Sequence, residues 1–244
     1  MAGKAKPVRC AAGRSGRLRS PSGGPTIVRI VRKREERESN MIKIAITGVI
    51  GSGKSTLSQC LRNLGYPVAD CDAISHAILQ PDQAGYKACV EAFGPAILED
   101  QGRIDRAALG AIVFQDDARR RQLEAITHPL IQAELNRQAK ASSSPLWFAE
   151  VPLLFEAGME KQFDEIITVT APLETILQRL QQGRGLSPQQ ARARMAAQMS
   201  QEEKSRRSTL TIVNDGDIPA MQDQIQQWIK EKQDGTESER RIPQ

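Results

Sequence analysis

Apolar residues in this chain follow two rhythms, alternate positions in some stretches and every third or fourth in others, and the changes between them mark out elements. The run Ile42, Ile44, Ala45, Ile46 ending in Thr47 reads as a strand. Leu57, Cys60, Leu61 and Leu64 then share one face of a helix over 54–64, and Gly65 is placed to end it. Tyr66–Ala69 reads as a second short strand ending in Asp70-Cys71-Asp72. Helical patterns follow at about 73–79 and 86–93, then a helix capped by Asp105 and running to Phe114. A helix over 118–127 is expected to break at His128-Pro129 and resume to about Ala139. The run from Leu146 to Val151 is short and wholly apolar but for Glu150, as suits a buried parallel strand. Glu165–Thr170 and Leu210–Val213 read as further strands, with a helix over 173–182 between them. Ser187-Pro188-Gln189-Gln190 is a capping box opening a helix towards Met199, and an amphipathic helix closes the chain over 218–232. Strands alternating with helices predict an α/β fold on a parallel sheet.

The first strand and first helix are joined by Gly48-Val49-Ile50-Gly51-Ser52-Gly53-Lys54-Ser55, which has the spacing Gly-x-x-x-x-Gly-Lys-Ser. In that strand–turn–helix setting the motif is a phosphate loop. Glycines let consecutive N–H groups converge on one point, and the helix N-terminus adds its positive end there. Lys54 reaches β- and γ-phosphates, and the Ser55 hydroxyl joins the coordination of Mg²⁺. A nucleoside triphosphate site is predicted.

Composition narrows the partners. Residues 1–40 hold 11 Lys/Arg against 3 Glu, so the chain's net +5 leaves −3 for residues 41–244. No nucleic-acid surface is indicated for the folded part. The basic leader 1–40 reads as disordered or as a misassigned start, and its glutamates fit a transit peptide poorly. Residues 233–244 read as a polar tail. Cys10, Cys60, Cys71 and Cys89 form no metal or disulfide pattern, which suits reduced thiols in the cytoplasm. No apolar run is long enough to cross a membrane.

Chemistry beyond the loop gathers at three places. Asp70 and Asp72 end the second strand, where ligands of open α/β sheets collect. Asp72 is either a base for an accepting hydroxyl or the N-cap of a helix beginning at Ala73. His128 is either a helix-end cap or a substrate contact. Glu150 and Glu156 flank Val-Pro-Leu-Leu-Phe, where an acid either holds Mg²⁺ through water or belongs to the loop alone. Arg179 and Arg184 are candidates for a closing lid that neutralises phosphoryl charge. Arg192, Arg194, Lys204, Arg206 and Arg207 read mostly as solvated helix faces. A GTPase would need Asn-Lys-x-Asp, and no asparagine here precedes a lysine.

Taken together, Thr47–Thr56, Asp70-Cys71-Asp72, His128-Pro129-Leu130-Ile131, Val151–Glu156, Gln178-Arg179-Leu180, Gln198-Met199 and Asn214-Asp215-Gly216 resemble the dephospho-CoA kinases. The resemblance spans about 41–232. It implies a three-layer α/β/α phosphate-loop kinase with a five-stranded parallel sheet, a helical acceptor-binding insert at about 73–139 and a lid at about 179–207. ATP and dephospho-CoA would be the substrates, with Mg²⁺, in a monomer or weak homo-oligomer. By the resemblance Asp72, Lys54 and Arg179 would be catalytic. Gly48, Gly51, Ser52, Gly53, Lys54, Ser55, Thr56 and Arg184 would hold ATP, Ser55 also touching the metal. Asp70, His128, Pro152, Leu153 and Phe155 would shape the acceptor site. Two positions depart from the family pattern: Gly183 stands where an arginine is usual, with Arg184 one place later, and Ser208-Thr209 stands for Ala-Asp. The rival readings are another small-metabolite or nucleoside kinase of this fold, or a nucleotide switch whose basic leader binds nucleic acid.

Overall fold

The computed structural model describes residues 41–240. The basic leader and the last four residues of the expected tail lie outside them.

Five parallel strands form one sheet: β1 (Ile42–Thr47), β2 (Val68–Asp70), β3 (Leu146–Glu150), β4 (Glu165–Thr170) and β5 (Leu210–Val213), ordered β2-β3-β1-β4-β5. Period-two alternation sends side chains to two different cores. Ile44 and Ile46 face Leu57, Leu61, Ile225 and Trp228 on α1 (Lys54–Asn63) and the C-terminal helix (Ile218–Arg240). Ala45 joins Trp147 and Ala149 in the opposite core, against Leu135 and Ala139. Both faces are therefore covered, as parallel sheets require. From β1 the chain crosses to β2 on one side, and from the adjacent β3 it crosses past β1 to β4 on the other. The C-terminal end of β1 is thus the switch point where ligands of such sheets bind.

Between β2 and β3 the chain forms α2 (Cys71–Ile78), α3 (Ala84–Phe93), α4 (Arg106–Gln115) and α5 (Asp117–Ala141). Cys89, Ile97, Ile104 and Leu109 give these helices a small core of their own. After β4 come α6 (Leu173–Arg184), α7 (Pro188–Ala196), α8 (Gln201–Arg207), then β5 and α9, the C-terminal helix already described. Ser187 and Gln190 make both bonds of the expected capping box.

Several boundaries differ from the sequence reading. β2 begins at Val68 instead of Tyr66, and α2 begins at Cys71 instead of Ala73. The helix expected to run towards Met199 is α7 and stops at Ala196, and a separate helix, α8, follows from Gln201. The closing helix continues past Lys232 to Arg240, because extending a formed helix adds a hydrogen bond for each residue ordered. The expected break at His128-Pro129 does not occur: α5 is continuous through Pro129. Proline removes only one backbone donor, and both halves of α5 are anchored. Leu123 and Ile126 pack on the small core, while Ile131, Leu135 and Ala139 pack on the sheet. A sharp bend would pull one half out of its core. His128 therefore caps no helix end.

Pro129 is solvent-exposed and carries no N–H for the helix. Pro129→Ala should raise stability by about 1–3 kcal/mol, seen as a higher melting temperature. A fall would mean that the proline ring makes a packing contribution larger than the missing bond.

Candidate active site

Residues 48–53 turn tightly between β1 and α1 because two glycines allow it. A Cβ on Gly48, at φ 149°, would run into the Val169 carbonyl oxygen of β4, and one on Gly53, at φ 103°, into the Asn214 amide. The outward carbonyls of this turn are taken. Asn214 Nδ2 donates to the Ser52 carbonyl at 3.1 Å, and Arg179 Nη2 donates to Asn214 Oδ1 at 3.0 Å. Arg179 Nη1 also reaches the Gly51 and Ser52 carbonyls at 3.4 Å. Several donors are left over. Among the described residues the N–H groups of Gly51 and Gly53 have no acceptor, and no side chain caps the start of α1. Ser52 Oγ is buried without a partner as well. An unpaired buried hydroxyl is costly, and an anion at the turn could satisfy it together with the two free amides.

Lys54 is 8% exposed, its ammonium donating to the carbonyls of Gly48 and Val49 at 3.0 and 3.1 Å. Burial lowers its pKa to about 8, partly opposed by the carboxylates of Glu150 and Asp72 and assisted by Lys204 and Arg184. Those charges lie close enough to act on the ammonium. Arg184 is the last residue of α6 and exposed, while a Cβ on Gly183 would meet no neighbouring atom.

The carboxylate pair divides its work. Asp70 Oδ1 accepts from the N–H of Asp72 at 2.8 Å and of Ala73 at 3.0 Å, and so caps α2. The capping role weighed for Asp72 thus belongs to Asp70. Asp72 sits exposed in the first turn of α2 with no capping bond to make. The thiol of Cys71 between them is pushed up to about 12, by burial first and then by Asp72, Asp70 and Glu150. Glu150 ends β3, accepting from Ser58 Oγ at 2.7 Å and Ser55 Oγ at 3.4 Å. Ser55 and Glu150, in contact with each other, are the side chains beside the loop that could meet a metal carried by a bound phosphate. Among the described residues no cluster of three ligating side chains exists to hold one independently.

The remaining expected residues scatter. Thr56 lies half-buried in the first turn of α1. The Pro152 carbonyl accepts from Thr47 Oγ1 and from Lys204 Nζ, each at 3.2 Å. Leu153 stands out at 47% exposure, whereas Phe155 is buried among core residues with the Lys204 ammonium 5.8 Å from its ring centre. His128 is half-buried in mid-α5, and among the described residues it makes no bond to the loop. Lys204 is a correction: expected on a solvated helix face, it is fully buried and paired with Glu156 at 2.8 Å. No local signal separates it from Arg206 and Arg207, because its partners lie some fifty residues away in the chain. Sequence reasoning also gave no role to Gln198, whose Oε1 accepts the Ile50 N–H at 2.9 Å, or to Asn214. The departure at Ser208-Thr209 is satisfied locally. Thr209 Oγ1 bonds both backbone groups of Ile166, and Ser208 Oγ lies 2.6 Å from Thr168 Oγ1.

A phosphate loop at the switch point of a five-stranded parallel sheet, faced by an uncommitted aspartate, defines a phosphate-loop kinase of the α/β/α type. The dephospho-CoA kinase family model matches residues 42–220. A dephospho-CoA kinase of Symbiobacterium thermophilum is 44% identical over 186 residues, covering 75% of this chain and 78% of that one. One of Geobacillus kaustophilus is 39% identical, covering 72% and 89%. A Thermus thermophilus crystal structure superposes with TM-score 0.71 at 38% identity, covering 78% of this chain and 97% of that one. The dephospho-CoA kinase of Campylobacter jejuni gives 0.58 at 29%, covering 79% and 98%. The chain belongs to the dephospho-CoA kinase family.

The lowered lysine has a measurable consequence. Between about pH 8 and 10.5 the unfolded chain holds the Lys54 proton that the folded one has released, so this group's contribution to stability rises with pH there. Triphosphate beside the ammonium restores its pKa. ATP binding should therefore take up roughly half a proton near pH 8 and more near pH 9, read as buffer-dependent binding heat. Heat independent of buffer at pH 8.5 would mean Lys54 is already fully protonated in the free protein.

Proposed function

We infer that this chain transfers the γ-phosphoryl group of ATP to the ribose 3′-hydroxyl of dephospho-CoA, giving coenzyme A and ADP in the last step of coenzyme A synthesis. Family membership supports the reaction. The observation that carries the assignment of its base is the division between Asp70, which caps α2, and Asp72, which is left free with its charge acting on Lys54.

In this reading the Asp72 carboxylate takes the hydroxyl proton as the ribose oxygen attacks the γ-phosphorus, and the bond to the bridging oxygen of ADP breaks. Lys54 leaves the carbonyls of Gly48 and Val49 for the β- and γ-phosphate oxygens and balances the charge that spreads over them. The unpaired amides of Gly51 and Gly53 and the open start of α1, with Ser52, Ser55 and Thr56, cradle the rest. Mg²⁺ accompanying ATP would be met by Ser55 directly and by Glu150 through water, supplying further positive charge at the phosphates. Arg179 braces the back of the loop. Arg184 at the end of α6 takes the place of the arginine missing at Gly183, within a lid of about 179–207. The insert at about 73–139, with Asp70 and His128, and the Pro152–Phe155 segment form the acceptor side, Leu153 being the exposed apolar contact. Phe155 contributes by holding that segment in shape. We place the reaction in the cytoplasm, in a monomer or weak homo-oligomer, with no nucleic-acid partner. No helix among the described residues is long and apolar enough to cross a membrane.

A coupled ADP-release assay offering dephospho-CoA, adenosine and shikimate as rival acceptors tests the substrate. Dephospho-CoA should give by far the fastest turnover, and absence of acceptor-dependent turnover with it would reject the reading. Asp72→Asn should lower kcat at least about a hundredfold, the scale of a positioned acid–base group, with ATP affinity retained. Near-normal turnover in that variant would move the base elsewhere.

A further inference from the structure

Gln198-Met199 has no role in the chemistry so far, yet it lies between α7 and α8 where several parts of the site are fastened. Gln198 Oε1 accepts the Ile50 N–H of the phosphate loop at 2.9 Å. The next residue holds a different partner: the Met199 N–H donates to Glu156 Oε1 at 2.9 Å, in the segment after β3. Gln201 bonds both backbone groups of Ala171, just beyond β4, at 2.9 and 3.0 Å. Lys204 donates to Glu156 and to the Pro152 carbonyl. Residues 198–204 thus clasp the loop tip, the end of β4 and the segment after β3 together.

The Ile50 N–H and the Val49 carbonyl belong to one peptide group. That carbonyl accepts from Lys54 Nζ at 3.1 Å and from the Ser52 N–H at 3.2 Å. The Ser52 bond closes a four-residue turn, and Gly51, its third residue, has the positive φ of 80° that a type II turn requires. Val49 and Ile50 also pack into the apolar cluster of Ile176, Leu180 and Ala191. Apolar contact has no direction, however, and leaves the orientation of a peptide group open. Among the described residues, Lys54 and Gln198 are the two side chains bonded to this one. The rest of the loop is held separately, by Asn214 and Arg179 on the Gly51 and Ser52 carbonyls.

We propose that Gln198 is a positioning residue for phosphoryl transfer, holding the tip of the phosphate loop once Lys54 has turned to the triphosphate. The proposal rests on the kinase reading above, in which Lys54 leaves the Gly48 and Val49 carbonyls. The Val49–Ile50 peptide then loses its cation, and the Gln198 oxygen is the side-chain tie that remains. Because Asn214 and Arg179 keep their own hold, loss of Gln198 disturbs alignment more than binding. Small displacements close to reacting atoms lower turnover steeply.

Steady-state kinetics and amide hydrogen exchange test this. Gln198→Met keeps the length of the side chain and removes the acceptor. Its kcat should fall about tenfold or more, while the KM values for ATP and dephospho-CoA stay near those of wild type. With Mg²⁺ and a non-hydrolysable ATP analogue bound, the Ile50 amide should exchange at least about tenfold faster in Gln198→Met than in wild type. Gln198→Glu, which retains an oxygen at the same reach, should restore that protection. A kcat within about twofold of wild type in Gln198→Met, or Ile50 exchange unchanged by the substitution, would overturn the proposal. So would an ATP KM raised as far as kcat is lowered, since the tie would then serve binding and not alignment. Failure of the wild-type protein to use dephospho-CoA would instead bring down the kinase reading. The exchange comparison needs no acceptor and would still decide the Gln198 contact.

Discussion

The direction in which the peptide groups of residues 48–53 point governs the rest of this structure. A short turn with unpaired amides gathered on its inner side is unfavourable, because those dipoles repel and lack acceptors. It persists here because its outer side is fastened. Asn214 and Arg179 hold the Ser52 and Gly51 carbonyls, and Gly48 presses against β4 where a side chain would collide. Those fastenings come from β4, from α6 and from the residue after β5. The loop is therefore a product of the sheet's far half as much as of its own glycines.

The same arrangement explains the buried lysine. Lys54 spends its ammonium on two carbonyls of its own loop, and burial makes it a weaker base. An anion beside the ammonium would offset that effect of burial. Carboxylates of Asp72 and Glu150 and cations of Arg184 and Lys204 act on it in opposite senses. Lys204 is held in place by Glu156 and the Pro152 carbonyl, which ties α8 to the segment following β3. Helix α8 and the segment after β3 are thus joined through one ion pair whose lysine is fully buried. A sequence reader sees its cation only as one more charge in a basic helix.

Legibility followed the range of the interaction responsible. The strands, the capping box at Ser187 and the phosphate loop rest on neighbours within a few residues, and each was readable from spacing. Asp70 and Asp72 were recognised as a pair, yet which of them caps α2 depends on where that helix starts, a shift of two residues that periodicity does not resolve. The break expected at Pro129 followed a sound local rule. It failed because α5 is gripped at both ends by separate cores, and packing outweighs one lost hydrogen bond. His128, Gln198 and Lys204 were misread or unassigned for a related reason: their surroundings come from elements distant in the chain.

The sequence alone determined the α/β class, the phosphate-loop motif between β1 and α1, and the pair of carboxylates at the end of β2. These are written in residues whose chemistry and neighbours are local. Tertiary structure alone decided which carboxylate is free to act, which cations stand near the loop and which are buried in pairs. Those outcomes depend on burial and on the closeness of groups far apart in the chain, and neither has a period that a sequence displays. At the phosphate loop the two meet. Glycines permit the turn, and the assembled sheet turns its amides towards an anion.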